Sequence, residues 1–236
     1  MRRGGKLAAI TMSADAQTID RRPGVAGAAA TARSWFKVYD IGVATISNDS
    51  TRIDIYEEIG GWGMQASDFV AELRAVQSPT IDLHINSPGG SVFDGVAIYN
   101  ALSQHPAQVN GFVDGLAASA ASFIAQACDT ITMNPGSMMM VHDAIGMTWG
   151  NALDHTTMAA LLAQVSDSIA DLYAARAGGT AADWRGVMEN NGGEGKWYTA
   201  REAVAAGLAD KVAGDPEPGD SVAAPATAGD AQAAFD

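Results

Sequence analysis

The stretch TIDLHINSPGGSVFDGVAIYNALSQH (residues 80–105) contains a strand, a turn and a helix in direct succession. Its first part, TIDLHINS, is typical of a β-strand. Its second part, DGVAIYNALSQH, places four apolar residues on or near one helical face, namely Val96, Ile98, Tyr99 and Leu102. Between the two parts, Pro88-Gly89-Gly90 is a turn signal, because glycine adopts a positive φ without strain. The stretch therefore predicts a strand–turn–helix unit.

The same alternation continues on both sides of this stretch. TRIDIYEEI and AQVNGFVDG are strand-like, and QASDFVAELRAV and SAASFIAQA are helical. DTITMNP and SMMMVHDAI are shorter strand-like runs, and a long helix is predicted from Asn151 to about Tyr173. Strands that alternate with helices form βαβ units. The sequence thus predicts an α/β fold with a mostly parallel sheet covered by helices.

One domain is predicted, flanked by two arms. The chain has 236 residues and is 47% hydrophobic, which is enough to bury one core. We place the domain at residues 34–213. Residues 1–33 are rich in Ala, Gly, Arg, Ser and Thr without periodicity and are predicted to be a flexible arm. Residues 214–236 are acidic and rich in Ala, Pro and Gly, and are predicted to be disordered.

Charge and cysteine content exclude several classes of function. The formal net charge of −13 argues against binding to nucleic-acid backbones or anionic membrane surfaces. Cys128 is the only cysteine, so no disulfide can form within the chain, and no Cys/His cluster has zinc-ligand spacing. No run approaches the roughly 20 apolar residues of a membrane span, and the N-terminus lacks the apolar core of a secretory signal. We therefore expect a cytoplasmic protein without a metal or cofactor.

Candidate site residues follow the strands, because sites in open α/β sheets lie beyond the carboxyl ends of the strands. The glycine turn is at such a place, and its N–H groups could hold a developing anion. Taken alone, this turn is better explained as an ordinary strand–helix connection. After the strand QVNGFVDG comes Ser119, at the start of a small-residue helix. The N–H of Ala120 would be a natural second donor, but a serine nucleophile also needs a positioned base.

Four histidines are candidates for that base. His84 lies inside a predicted strand, in the core or on the surface, and His105 and His155 are expected at solvated helix ends. His142 ends the apolar run MMMVH, so a strand would deliver it to the same sheet edge as Ser119. A histidine at a strand end is more often structural than catalytic. The residues alone therefore leave two interpretations open, a Ser119–His142 pair and a structural His142.

Four motifs occur in order along the chain: INSPGGSVFDG, DGLAASAASFI, MMMVHD and WYTAREAVAAGLADKV. Together they resemble the proteolytic subunit of the Clp protease family, over about residues 50–213. IYEEIGGWGMQASDFVAEL and VAIYNAL are similar to its phage branch, the Clp-like head-maturation proteases. The resemblance implies a serine peptidase with a Clp/crotonase-type ββα-superhelix and a protruding handle helix.

The resemblance also carries functional positions onto this chain. The family's nucleophile falls on Ser119 and its general base on His142. The oxyanion donors fall on the N–H groups of Gly90 and Ala120. Further residues of the same turn are implied to bind substrate, namely Gly89, Ser91 and Val92. Ser122 matches no catalytic position and is expected to pack within its helix.

The third catalytic residue is where the chain departs from the family pattern. The family carries an acid two residues before an aromatic in the last motif, and alignment on Trp197 places Gly195 there. Glu194 lies one residue earlier in GGEGKWYT. We expect a one-residue slip in this glycine-rich loop to bring Glu194 to His142. The alternatives are a solvated Glu194, with a water or a backbone carbonyl orienting the imidazole.

Partners and a cellular setting are implied as well. The long helix corresponds to the family's handle helix, so a ring-shaped homo-oligomer is expected, either a heptamer or a stacked double ring. In a phage setting, in the host cytoplasm or within procapsids, the polypeptide substrates would be scaffold and capsid proteins. In a bacterial setting they would be unfolded chains delivered by an AAA+ unfoldase. The chain has no G-x-x-x-x-G-K-[ST] motif, so any ATP dependence would belong to that partner.

Two other functions remain as alternatives at this stage. An acyl-CoA enzyme of the crotonase class shares the fold and the use of paired backbone N–H groups, although it needs no Ser119–His142 pair. A shell or scaffold component that retains the fold without catalysis is the second alternative, because the expected acid is missing.

Overall fold

The computed structural model describes residues 39–40 and 50–216. The predicted arm of residues 1–33 and residues 217–236 of the predicted tail lie outside this part. The described chain continues past the predicted domain boundary at residue 213. There, the Asp215 N–H donates to the Val212 carbonyl at 3.2 Å, and the Asp215 carboxylate pairs with Arg201 at 3.0 Å.

Strands and helices alternate through the described residues. The strands are β1 (Tyr39–Asp40), β2 (Ser50–Ile55), β3 (Thr80–Ser87), β4 (Gln108–Ala118), β5 (Thr130–Met133), β6 (Met138–Val141), β7 (Lys196–Thr199) and β8 (Lys211–Val212). The helices are α1 (Ala66–Leu73), α2 (Val92–Ser103), α3 (Ala120–Ala125), α4 (Ala152–Ala177), α5 (Ala181–Met188), α6 (Asn190–Gly193) and α7 (Ala200–Ala205). The short α6 is irregular, because Asn191 and Gly192 have positive φ inside it.

The sheet is mostly parallel, which confirms the predicted α/β class. Its order is β1-β2-β3-β4-β5-β8, and along this path only β1 and β2 pair antiparallel. In β2 and β3 every second residue is buried. One face of these two strands therefore packs into the core, and the other face carries half-exposed polar residues such as Asp82 and His84.

β4 is the strand that positions the candidate site. Its first half pairs with β5, and its last three residues pair with β6, with Ala118 opposite Met140. β3 ends beside the same part of β4, with Ser87 opposite Ala117 after a register shift. The first half and the end of β4 thus pair with different strands, β5 and β6. As a result, the carboxyl ends of β3, β4 and β6 lie side by side.

The long helix α4 is 26 residues in length, about 39 Å at 1.5 Å per residue. Asn151 caps its start in a capping box with Asp154. Its buried residues begin only at Val165, whereas Leu153 near the start is 72% exposed. The start of α4 therefore extends beyond the core, in the place expected for the handle helix.

Candidate active site

Ser119 lies where β4 meets α3, as predicted. Its N–H donates to the Met140 carbonyl at 2.9 Å, which ties the end of β4 to β6. Its backbone has φ 57° and ψ −126°, a conformation that is strained for a residue with a side chain. A strained turn between a strand and a helix is one way in which hydrolases present a serine hydroxyl at the end of a sheet.

His142 directly follows β6 and meets Ser119 across the neighbouring strand ends. His142 Nε2 lies 2.9 Å from Ser119 Oγ. Both residues are almost fully buried, with 6% and 3% of their surface exposed. Burial lowers the pKa of His142, and a hydrogen bond with the Asp143 backbone acts in the opposite direction. The imidazole is therefore neutral at neutral pH, and its Nε2 can accept the serine proton.

The glycine turn lies directly against the serine. At Gly89, where φ is +93°, an added Cβ would be 2.6 Å from Ser119 Cβ and 2.7 Å from Ala120 N. Only glycine fits there, because any side chain would overlap the serine and the amide that follows it. The structure thus brings the glycine turn and the start of α3 together, although they are far apart in the sequence.

Two backbone N–H groups at this turn are candidates for oxyanion donors. Gly90 forms a bridge with Ile59, in which the Ile59 N–H donates to Gly89 and the Ser91 N–H donates to Ile59. The N–H of Gly90 takes no part in that bridge. Ala120 is the first residue of α3, and a helix leaves such N–H groups without an intrahelical acceptor. These are the two groups to which the resemblance assigns the oxyanion.

Two residues expected to bind substrate also have structural roles. The Ser91 hydroxyl accepts from the Asp94 N–H at 3.4 Å as the cap of α2, and the Ser91 N–H is bonded to the Ile59 carbonyl at 2.7 Å. Val92 is completely buried in the hydrophobic core. The Val92 side chain therefore packs in the core at the first residue of α2, and the expected substrate-binding role of Ser91 and Val92 stays a prediction.

The expected acid does not reach the base. Glu194 is exposed, and within the described residues it forms no hydrogen bond or ion pair with His142. Gly195 lies beside His142 instead. It has φ +79°, and an added Cβ would be 2.6 Å from His142 Cα. The one-residue slip that would bring Glu194 to His142 is not found. Of the predicted alternatives, orientation by backbone agrees with the pKa of His142, which the Asp143 backbone raises against the effect of burial. The third catalytic residue stays a prediction.

Ser122 lies inside the buried helix α3 and supports the backbone of Ser119. Its Oγ donates to the Ser119 carbonyl at 2.6 Å and lies 2.6 Å from the Tyr173 hydroxyl. Tyr173 belongs to α4 and is 1% exposed, and burial raises its pKa. Sequence reasoning missed Tyr173, because no local pattern links residues 51 positions apart. The pair connects the strained serine to the long helix.

Two of the other three histidines have partners of their own. His84 Nδ1 lies 2.8 Å from the Asp114 carboxylate, and its ring stacks on Phe112. His105 Nδ1 accepts from the Ala107 N–H at 3.2 Å, and His155 is exposed on α4. Among residues 39–40 and 50–216, no group of three or more His, Cys, Asp or Glu side chains could hold a metal ion. No helix in this part of the chain has the length and apolar character to cross a membrane.

Comparison with known proteins places this chain in one family. The family described as Clp protease matches residues 38–216. The ATP-dependent Clp protease proteolytic subunit of Chlorella vulgaris is 33% identical over 142 residues, which cover 59% of this chain and 68% of that protein. The ATP-dependent Clp protease proteolytic subunit 2 of Corynebacterium efficiens is 31% identical over 161 residues, covering 64% and 79%. That of Rhodococcus jostii is also 31% identical over 161 residues, covering 64% and 80%.

Proposed function

The chain belongs to the Clp protease family of serine peptidases, and we propose that it is an endopeptidase acting through an acyl-enzyme on Ser119. The observation that carries this proposal is the 2.9 Å contact between His142 Nε2 and Ser119 Oγ. A serine hydroxyl becomes a nucleophile when a base is positioned to take its proton. The lowered pKa of His142 keeps this base in its neutral form.

The proposed reaction begins with proton transfer from Ser119 Oγ to His142 Nε2. The oxygen attacks the peptide carbonyl carbon, and the carbonyl oxygen becomes an oxyanion that accepts from the N–H groups of Gly90 and Ala120. The imidazolium then gives its proton to the leaving amine as the C–N bond breaks. A water molecule, deprotonated by His142, attacks the acyl-enzyme, and the serine oxygen leaves with the proton.

A fluorophosphonate probe tests this proposal directly. Wild type should be labelled on Ser119 and should cleave casein or a fluorogenic peptide, whereas Ser119→Ala should do neither. His142→Ala should fold and be labelled more slowly by orders of magnitude. An acyl-CoA enzyme of the crotonase class would leave Ser119 unlabelled. A non-catalytic shell component would show neither labelling nor cleavage in the wild type.

Two biological settings remain for such a peptidase, both in the cytoplasm. The likeness of residues 55–73 to phage head-maturation proteases favours the processing of scaffold and capsid proteins. The similarity to ATP-dependent Clp protease proteolytic subunits favours a subunit that works with an ATP-driven AAA+ unfoldase. Co-expression with scaffold and capsid proteins should give defined cleavage products in the first setting. In the second, degradation of a folded substrate should require an unfoldase and ATP.

A ring-shaped homo-oligomer, a heptamer or a stacked double ring, is proposed on the basis of exposed apolar side chains around the start of α4. Met147 is 77%, Trp149 is 100% and Leu153 is 72% exposed. Large apolar side chains grouped in one segment are typical of a surface that a partner covers. Light scattering at micromolar concentration should give the mass of a multimer, and a monomeric mass would contradict the proposal.

A further inference from the structure

The position that carries the family's acid is closed to any side chain in this protein. Gly195 has a positive φ, and its Cα packs on the backbone of His142. β7 runs antiparallel to β6 with Lys196 opposite Val141, so the backbone just before β7 lies beside the base. Another part of the protein must therefore hold the imidazole in place against Ser119.

The residues that follow His142 are tied to two helices. The Asp143 carboxylate forms an ion pair with Arg185 of α5. The Ser166 hydroxyl of α4 accepts from the Ala144 N–H at 2.9 Å, and the same hydroxyl acts against burial to lower the pKa of Asp143. Residues 143 and 144 are thus fixed from both sides, immediately after the base.

Arg185 is the centre of this arrangement, and its three ion pairs differ in exposure. Arg185 Nε lies 2.9 Å from Asp167, and Nη2 lies 2.8 Å from Glu189. These two acids have 66% and 56% of their side chains exposed, whereas Asp143 has 23%. Exposed ion pairs contribute little, but an acid that is largely withdrawn from water depends on its partner. Burial raises the pKa of Asp143, and the Arg185 charge opposes this shift.

We propose that Arg185 is a positioning residue for the catalytic base, and that its ion pair with Asp143 holds the backbone of residue 143 against the imidazole of His142. This inference rests on the proposed function of Ser119 and His142. Arg185 then orients the base, which is the role of the acid that the family carries at the position of Gly195. Arg185 itself contacts neither Ser119 nor the proposed oxyanion donors.

The ion pair between Arg185 and Asp143 acts on the imidazole of His142 through the backbone of residue 143. His142 Nε2 lies 2.9 Å from Ser119 Oγ, so Nδ1 is the nitrogen left for a contact with the backbone of residue 143. A backbone acceptor at Nδ1 favours the imidazolium, which agrees with the direction in which the Asp143 backbone acts on the pKa of His142. An acceptor at Nδ1 also selects the tautomer whose Nε2 is free to take the serine proton. If residue 143 moves, both effects are lost.

The test compares the three ion pairs of Arg185 in the full-length protein. Arg185→Gln and Asp143→Asn remove the proposed positioning contact, and Asp167→Asn and Glu189→Gln are matched controls that remove the solvent-exposed pairs. We expect the first two to lower kcat for a fluorogenic peptide by about 10- to 100-fold, because misplacement near 1 Å has such effects. KM should be nearly unchanged, because no substrate contact is removed. The controls should stay within about twofold of wild type.

A double variant shows whether Arg185 acts through Asp143. Arg185→Gln combined with Asp143→Asn should be no more than about twofold slower than the slower single variant, because the two residues form one unit. Arg185→Lys retains the charge and should restore part of the lost rate, which also covers the case in which Arg185→Gln does not fold. Thermal unfolding of every variant separates a loss of kcat from a loss of folded protein.

The outcomes distinguish this inference from the proposed function. If wild type is not labelled on Ser119 by fluorophosphonate, the proposed function fails and the inference fails with it. If wild type is labelled and Asp143→Asn or folded Arg185→Gln keeps the wild-type kcat, only the inference is overturned. It is also overturned if Asp167→Asn and Glu189→Gln lose as much activity as Arg185→Gln, because Arg185 would then serve stability alone.

Discussion

Replacing Gly89 by alanine tests whether the glycine turn and the serine form one site. The new Cβ would lie 2.6 Å from the Ala118 carbonyl oxygen, 2.6 Å from Ser119 Cβ and 2.7 Å from Ala120 N. Favourable contacts between carbon atoms are about 3.5–4.0 Å long, so the turn and the serine must separate by about 1 Å. Alanine at φ +93° adds a backbone penalty of about 1–2 kcal/mol.

The separation should act mainly on catalysis. A misplacement of about 1 Å can lower a rate by about 10²-fold, and the loss of one oxyanion donor lowers kcat by about 10²–10³-fold. We therefore expect Gly89→Ala to reduce the rate of fluorophosphonate labelling of Ser119 and the kcat for peptide cleavage by about 10²-fold or more. Thermal unfolding should show that the variant is folded at the temperature of the assay.

Gly136→Ala is the matched control. Gly136 has a similar φ of +83°, but an added Cβ there would meet no atom within 4 Å. This variant carries the same backbone penalty without the overlap at Ser119. Its melting temperature should fall by several degrees, at roughly 2–4 °C per kcal/mol, while its labelling rate should match the wild type. The reasoning is refuted if Gly89→Ala retains wild-type activity, or if Gly136→Ala loses as much.

Three further predictions concern the base, the loop acid and the buried hydroxyl pair. The rate of fluorophosphonate labelling of Ser119 should fall on acidification, with a midpoint below about pH 6.5, the ordinary pKa of histidine. The reason is that burial lowers the pKa of His142 and only the neutral ring accepts the serine proton. For the same reason the His142 ring binds a proton more tightly in the unfolded state, so the free energy of unfolding should fall as the pH drops below about 6.5. A labelling midpoint above that pH would contradict both statements. Glu194→Gln should keep turnover within about twofold, because this exposed acid does not touch His142, and a tenfold loss would make Glu194 the orienting acid after all. Ser122→Ala should lower the free energy of unfolding by about 1–3 kcal/mol, because the Ser119 carbonyl and the Tyr173 hydroxyl lose a buried partner; denaturant titration that shows no loss would contradict this.

Local patterns were sufficient for most elements of the first two thirds of the domain. β3 has the bounds predicted from TIDLHINS, and α2 and α4 occur where apolar residues recur at helical spacing. These predictions succeed because burial of one helical or strand face leaves a period in the sequence. The contact expected between Glu194 and His142 is not found. A one-residue offset in a glycine-rich loop is decided by backbone conformation, which leaves no local pattern in the sequence.

The sequence by itself determined that Ser119 and His142 each follow a strand, and that glycines stand where the backbone must approach closely. It could not determine which strands are neighbours. Only the tertiary structure pairs the end of β4 with β6 while the start of β4 pairs with β5, and this division places His142 2.9 Å from Ser119. The sequence also could not predict the ion pair between Arg185 and Asp143. The same holds for the hydroxyl pair of Ser122 and Tyr173. The physical reason is that such contacts join residues 42 and 51 positions apart through packing of whole helices, and periodicity records only which face of an element is buried.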